Sequence, residues 1–205
     1  MSVEHKLRVL HEALDNCRAC STVIGPVVHG PPVVSPVLIV GQAPGPREGK
    51  IGRPFAWTAG KTLFKWFEQA TGQTEERVRE RIYFSAVARC FPGKAKSGGD
   101  RKPDPTEIAN CRPFLEKETT LLKPLLVVPV GTLAIEQVLT HKGPLAPVIG
   151  KRFQTTYHGH LTDVICLPHP SGASTWHRVS PGKELLLKAL DLIAAHPAIQ
   201  QAFTC

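Results

Sequence analysis

Apolar residues along this chain follow two spacings, one typical of buried strands and one typical of helices. Continuous apolar runs predict strands, and apolar residues three or four positions apart predict helices between or after them. The predicted strands are 37–40, 82–88, 125–130 and 164–167. The predicted helices are 3–16, 58–70, 105–122, 132–140 and 182–195. This alternation favours a parallel sheet with helices on both faces. We therefore expect a three-layer α/β/α sandwich around a central, mainly parallel four-stranded sheet.

The composition indicates a folded, basic protein. Of the 205 residues, 42% are hydrophobic and 20% are charged, which suits a single domain that spans 1–205. No segment approaches the apolar length of a membrane span, and no leader-like apolar stretch follows Met1, so we expect no membrane partner and a cytoplasmic location. The net charge of +8 favours nucleic acid as a partner, although the same charge can simply aid solubility.

Three loops stand out after predicted strands, where ligands bind in sheets of this type. They are 41–45, 52–55 and 168–172. The first lacks the G-K-[ST] of a P-loop and the G-x-G-x-x-G of a dinucleotide site, so a nucleotide cofactor is poorly supported. In the third, His169 stands between two prolines, which stiffen the backbone that presents its ring. A loop histidine without a role is the alternative.

Four cysteines are spaced in a way that suggests a shared ligand. They are Cys17, Cys20, Cys90 and Cys111. In a reducing compartment such thiols stay free or bind a metal. Structural zinc usually uses two close pairs, whereas one C-x-x-C pair with two single cysteines favours an iron–sulfur cluster. Zinc and unliganded core cysteines stay open as alternatives, and we expect Cys166 and Cys205 to take no part.

Six motifs in order make the chain resemble the iron–sulfur-containing family 4 type of uracil-DNA glycosylase. They are C-x-x-C at 17–20, Gly41-Gln42-Ala43-Pro44-Gly45, Gly52-Arg53-Pro54-Phe55, a strand that ends in Cys90, the cysteine at 111, and His169-Pro170. The resemblance covers nearly the whole chain. It implies a [4Fe–4S] cluster on the four cysteines and DNA with a damaged base as the partner. For an enzyme that slides along DNA we expect a monomer.

The implied activity is release of uracil from single- or double-stranded DNA by hydrolysis of the N-glycosidic bond, which starts base excision repair. Such an enzyme draws the base out of the stack into a pocket. Phe55 matches the family's stacking residue, the 41–45 loop matches the segment whose amides contact the base, and His169 matches the histidine that donates to the base carbonyl. Glu48 matches an acid of the first loop and is our candidate to orient water or offset the sugar cation. It can equally be a solvated loop carboxylate.

The next segment, 171–178, matches a loop of the wider superfamily that enters the minor groove. The candidate DNA contacts are Ser171, Gly172, Ser174, Trp176 and Arg178. A surface loop with Trp176 packed back on the core is the alternative. Basic residues before the fourth cysteine would add phosphate contacts or be solvated. They are Lys94, Lys96, Arg101 and Lys102.

Two positions depart from the family pattern. Gln42 stands where the family usually has an acid, and an amide cannot act as a base. Ala86 stands in the base-binding position where the family usually has an asparagine that reads uracil, and the side chain of Ser85 is expected on the opposite face of the strand. We therefore predict relaxed or altered base choice. A weakly active or inactive lesion-binding protein is the alternative, while an electron carrier would explain only the cysteines.

Overall fold

The structure, a computed structural model, describes residues 1–96, 98–172 and 174–204. Cys205, to which the sequence assigns no role, lies outside the described residues. The strands are β1 (Val37–Gly41), β2 (Tyr83–Ala86), β3 (Leu126–Pro129), β4 (Arg152–Tyr157) and β5 (His160–Ile165). The helices are α1 (Val3–Asp15), α2 (Glu48–Ile51), α3 (Thr58–Thr71), α4 (Glu75–Arg81), α5 (Pro105–Leu122), α6 (Thr132–Leu139), α7 (Gly182–Ala194) and α8 (Pro197–Phe203). A single 3₁₀ turn covers Trp176–Arg178.

The strands form one sheet in the order β2-β1-β3-β5-β4. The first four are mutually parallel, and β4 pairs antiparallel with β5. Helix α1 packs against α5, and α3 packs against α7. The expected three-layer α/β/α sandwich is thus confirmed. Because parallel strands share a direction, the loops after β1, β2, β3 and β5 meet at one edge of the sheet.

The prediction of four strands is wrong, because the sheet has a fifth strand, β4, at its edge. Exposed and half-buried residues alternate along the first five residues of β4. This strand therefore lacks the continuous apolar run by which the other strands were predicted. A two-residue turn, His158-Gly159, joins it to β5. Both turn residues have positive φ, 47° and 77°, as a tight hairpin of this hand requires. The last strand consequently begins at His160 rather than at 164.

Buried aliphatic strands form the centre of the molecule. Every residue of β1, β2 and β3 is buried, which explains why their sequences read as continuous apolar runs. The short helices α2, α4 and α8 were not predicted, since each has seven residues or fewer and shows little periodicity. Trp57 is the N-cap residue of α3. No helix in the described part of the chain is both long and apolar enough to cross a membrane.

Candidate active site

A cavity of about 590 Å³ opens at the carboxyl ends of the strands. Its walls contain all nine residues that the sequence proposed for base binding and catalysis. These are Gly41, Gln42, Ala43, Pro44, Gly45, Glu48, Phe55, Ala86 and His169, with Ser171 and Ser174 at the start of the following loop. Residues that are far apart in the sequence therefore line one space, as the positions of the loops after β1, β2 and β5 require.

The ring of Phe55 lies directly over the end of β1. A Cβ added to Gly41 would come within 2.8 Å of Cζ of Phe55, so only glycine fits beneath the ring. The ring also meets Phe84 edge-on, with centroids 6.1 Å apart. Phe55 is half-buried and lines the cavity, so part of its surface faces the space where a ligand would lie.

Arg79 of α4 holds the backbone beneath this ring. Its guanidinium donates to the carbonyl oxygens of Pro54 at 2.9 Å and Phe55 at 2.8 Å. The same group pairs with Glu75 at 2.8 Å and stacks 4.2 Å above the ring centroid of Phe64. Sequence reasoning missed Arg79, since an arginine in a charged helix carries no signal for a contact with a loop 24 residues earlier.

Glu48 joins the two loops on either side of α2. One carboxylate oxygen, Oε2, accepts the Gly45 N–H at 2.7 Å, and the other, Oε1, accepts the Ala56 N–H at 2.8 Å. Only 8% of Glu48 is exposed, and this burial raises its pKa, while the two backbone donors act in the opposite direction. The carboxylate thus ties the 41–45 loop to the segment that carries Phe55.

His169 is held as a neutral donor. Its Nδ1 accepts the Ser171 N–H at 3.2 Å, so the ring proton is assigned to Nε2. Burial lowers the pKa of His169, and the charge of Asp100 opposes this in part. A Cβ on Gly131 would lie 3.0 Å from Cδ2 of the ring, so glycine at this position lets the histidine pack against the loop after β3.

Comparison with known proteins identifies the family to which this geometry belongs. The sequence profile of the Uracil DNA glycosylase superfamily matches residues 27–193. The chain belongs to this superfamily. The matched part includes the loops that line the cavity, whereas Cys17 and Cys20 lie before it.

Relatives of this superfamily member carry the name type-4 uracil-DNA glycosylase. The protein from Sulfurisphaera tokodaii is 28% identical over 141 residues, which are 67% of this chain and 60% of that protein. The protein from Pyrobaculum aerophilum is 28% identical over 176 residues, 80% of this chain and 83% of the relative. The protein from Thermotoga maritima is 26% identical over 167 residues, 76% and 82% of the two chains. The chain therefore spans less than two thirds of the Sulfurisphaera protein.

Two residues that line the cavity depart from the pattern that the family resemblance implies. Gln42 brings an amide to the first loop, and Ala86 brings only a methyl group to the end of β2. The Ser85 hydroxyl does not replace the missing amide, because it donates to Glu118 of α5 at 2.7 Å. The cavity therefore lacks the side-chain amide that the family resemblance leads one to expect at residue 86.

The loop after His169 divides into a part at the cavity and a part that packs on the protein. Ser171 and Ser174 line the cavity, and Gly172 and Arg178 are exposed, whereas Ala173 falls outside the described residues. Trp176 is half-buried against the hydrophobic core, with its ring over the start of α7 at Gly182. Part of the Trp176 side chain therefore packs on the core, and its contact with DNA stays a prediction.

The four candidate ligand cysteines come from three segments and have free thiols. They are Cys17 and Cys20 after α1, Cys90 after β2, and Cys111 inside α5. Burial and the neighbouring thiols raise the pKa of Cys90 to about 11, which indicates that the four sulfurs lie near one another. Within residues 1–96, 98–172 and 174–204, no three histidine, cysteine or acidic side chains lie close enough to share a single metal ion.

The donor set nevertheless fits an iron–sulfur cluster. Four thiols from several segments are the ligands that such a cluster uses, and the Asn110 amide donates to Cys20 Sγ at 3.4 Å. Burial raises the pKa of the Cys111 thiol, and the backbone N–H of Arg89 opposes this rise. Hydrogen bonds of this kind orient and tune metal-binding sulfurs. Cys166, by contrast, is fully buried among the core residues at the end of β5.

Proposed function

We propose that this superfamily member removes uracil from DNA by hydrolysing the N-glycosidic bond, and that it thereby starts base excision repair. One observation carries the proposal: an aromatic platform, Phe55, and a neutral histidine donor, His169, line the same cavity. The cavity volume, about 590 Å³, lies within the range of roughly 300–1,000 Å³ that is usual for small-molecule sites.

Binding requires that the base leave the DNA stack, since the enzyme cannot reach a glycosidic bond inside the duplex. The flipped base would lie against Phe55, and stacking on an aromatic ring stabilises each base by about 1–3 kcal/mol. The 41–45 loop also lines the cavity, and its backbone would contact the base and the sugar. Ser171 and Ser174 line the cavity, and we expect them to contact the flanking phosphates.

Bond cleavage moves negative charge onto the base and positive charge onto the sugar. His169 would donate its Nε2 proton in a hydrogen bond to the carbonyl oxygen of the leaving base. A preorganised donor of this kind is worth about 3–4 kcal/mol to the transition state. A neutral ring suits this role, and the lowered pKa of His169 keeps the ring neutral near pH 7.

Glu48 has a different role in this proposal. Both of its oxygens accept main-chain N–H groups, so we assign the carboxylate to holding the 41–45 loop and the Phe55 segment in register. Its negative charge beside Gly45 also helps to offset the cation that develops on the sugar. A carboxylate whose oxygens are both engaged is poorly placed to take a proton from water.

We also propose that Cys17, Cys20, Cys90 and Cys111 hold a [4Fe–4S] cluster. Bound there, the cluster would cross-link the end of α1, the loop after β2 and α5, and would supply no step of the reaction. DNA would bind along the basic rim of the cavity, where Lys94, Arg101 and Lys102 lie. Phosphate contacts by such side chains give affinity that falls with salt.

The absence of an amide at Ala86 supports a broader choice of base. No side chain at this position donates to or accepts from the edge of uracil, so other deaminated bases such as hypoxanthine and xanthine are included as candidate substrates. The test is base release from oligonucleotides that carry one uracil, hypoxanthine or xanthine, in single and double strands, scored as alkali-cleavable abasic sites. Thymine in the same sequence is the control.

We expect abasic product from uracil and a smaller difference between the bases than in an Ala86→Asn variant. That variant restores an amide, and one hydrogen bond of about 1 kcal/mol favours uracil by roughly fivefold. Tight binding of uracil-containing DNA without abasic product would instead favour the lesion-binding alternative, which the Gln42 and Ala86 walls support.

A further inference from the structure

A loop between the third and fourth cysteines brings a carboxylate to the cavity. In this loop Lys94 and Asp100 pair as an isolated antiparallel bridge. Asp100 lines the cavity. Its Oδ2 lies 3.7 Å from the position of a Cβ built on Gly45, and Glu48 Oε2 lies 3.8 Å from the same point. Asp100 is also close enough to His169 for its charge to oppose the fall in the histidine's pKa.

The end of this loop is firmly anchored. The Arg101 guanidinium forms two hydrogen bonds with the carboxylate of Glu107, one of them 2.8 Å long. Glu107 is 2% exposed, belongs to the capping box of α5, and accepts a further hydrogen bond from Thr22 at 2.7 Å. The Arg101 side chain lowers the pKa of Glu107 to about 2, so this pair stays charged at neutral pH. Because Arg101 is held in place by these contacts, the backbone that carries Asp100 is anchored on one side.

The other candidates for a base at this edge of the sheet are unsuitable. Gln42 is an amide, and Glu48 uses both oxygens to accept backbone N–H groups. Asp100 differs, because its Oδ1 pairs with Lys94 at 2.6 Å while its Oδ2 is the oxygen nearest Gly45. Lys94 pairs with Asp100, and Glu48 and His169 are further titratable groups near it.

We propose that Asp100 is the carboxylate that accepts a proton from the attacking water, in place of the acid that is absent at residue 42. The inference rests on the proposed glycosylase function. The C1′–N bond breaks with its electron pair leaving on the base, and the water oxygen forms a bond to C1′. The water proton passes to Asp100 Oδ2, and the base anion, stabilised by His169, later takes a proton from solvent.

The test compares Asp100→Asn with Asp191→Asn in single-turnover base release at saturating enzyme. Asp191 is exposed on α7 and does not line the cavity. Its variant therefore makes the same change of charge away from the cavity. We expect the Asp100 variant to lose about a hundredfold in rate, which is the lower range for loss of a general base. The dissociation constant for uracil-containing DNA should not rise, and the Asp191 variant should match the wild type.

Two rescue measurements separate a chemical role from a structural one. Sodium formate should accelerate Asp100→Ala, because the small carboxylate can enter the vacated space, and should leave His169→Ala unchanged. The Gln42→Glu change should restore part of the rate when it is added to Asp100→Asn, since it returns a carboxylate to the same wall. A loop that merely shapes the cavity would respond to neither.

The possible outcomes distinguish this inference from the proposed function. If Asp100→Asn releases uracil as fast as Asp191→Asn, the role of Asp100 is overturned and the glycosylase assignment stands. A slow Asp100→Asn variant with weakened DNA binding and no rescue by formate or Gln42→Glu also overturns it. If the wild-type chain, with its cluster, releases no base from any substrate, the proposed function itself fails and the inference fails with it.

Discussion

Phe55 adopts a left-handed backbone conformation, with a φ of 53°, which is unusual for an aromatic residue. Its neighbours supply the contacts that hold this conformation. Arg79 donates to the Phe55 carbonyl oxygen, and Glu48 accepts the N–H of Ala56. Because Gly41 offers no side chain beneath the ring, the aromatic face is fixed over the end of β1. The position of the Phe55 ring in the site therefore depends on Arg79, Glu48 and Gly41.

Replacing Phe55 with alanine should weaken binding of the flipped base. The expected loss of binding free energy is about 1–3 kcal/mol, the usual contribution of stacking on one aromatic ring. The measurement is the single-turnover rate divided by the enzyme concentration that gives half of the maximal rate. This ratio should fall by roughly 5–150-fold. Phe55→Tyr keeps the ring and serves as the matched control. An alanine variant that equals the tyrosine variant would exclude a stacking role.

At the scale of elements, α1 is attached to the sheet by a buried polar chain as well as by leucines. His11 of α1 donates from Nε2 to the Tyr83 hydroxyl at 2.8 Å, and this hydroxyl donates to Glu118 of α5 at 2.8 Å. Arg89 forms a buried ion pair with the same carboxylate. Burial lowers the pKa of His11 to about 4, so the ring remains neutral in the folded protein.

This pKa predicts how stability depends on pH. In the unfolded chain His11 takes up a proton near pH 6.5, whereas in the folded chain it does so only near pH 4. The contribution of neutral His11 to the free energy of unfolding is therefore complete above pH 6.5. As the pH falls towards 4, this contribution is lost, by about 3 kcal/mol in all. Urea unfolding of His11→Gln should show a shallower fall over this range than the wild type. His5→Gln, on the exposed face of α1, should follow the wild type, and equal slopes in all three proteins would refute the prediction.

The elements show what hydrophobic pattern can and cannot predict. Helix α5 was predicted with its observed bounds, and α1 and α7 to within one residue. Apolar residues at helical spacing form the buried faces of α1 and α7, whereas the buried face of α5 also includes Glu107, Glu118 and Thr119. The edge strand β4 was missed because its exposed face is polar. Periodicity reports burial on one face of an element, so an edge strand gives a weak signal.

The site divides in a similar way. Gly41, Phe55 and His169 were found because they stand in recognisable motifs at strand ends, and the cavity brings them together. Arg79 and Asp100 were not found, because each acts through a contact with a loop distant in sequence. Such contacts depend on how loops pack against one another, and a local pattern does not encode that packing.

On the scale of the whole molecule, the four cysteines lie in three segments outside the strands of the sheet. Cys17 and Cys20 follow α1, outside the part of the chain that matches the superfamily. Backbone hydrogen bonds from Ile24 to Phe91 and from Val28 to Arg89 link this N-terminal segment to the loop after β2. A cluster bound by the four thiols would reinforce these few links and join them to α5.

Loss of one ligand should therefore remove iron and stability together. Wild-type protein purified without oxygen should contain about four irons per chain, with the visible absorbance of a [4Fe–4S] cluster. Cys17→Ser should lose most of the iron and unfold at a lower temperature. Cys166→Ala is the control, since it removes a thiol from the core without touching the proposed ligands. Full iron content in Cys17→Ser, or zinc in the wild type, would contradict the cluster assignment.

The proposed mechanism depends above all on stabilisation of the leaving base by His169. Removing the His169 side chain therefore tests this mechanism. The measurement is single-turnover release of uracil by wild type, His169→Ala and the exposed-site control His5→Ala, with DNA affinity measured alongside. We expect the rate for His169→Ala to fall about 100–1,000-fold, as for loss of a comparable preorganised donor, with DNA affinity little changed. Uracil release by His169→Ala at the wild-type rate would contradict it.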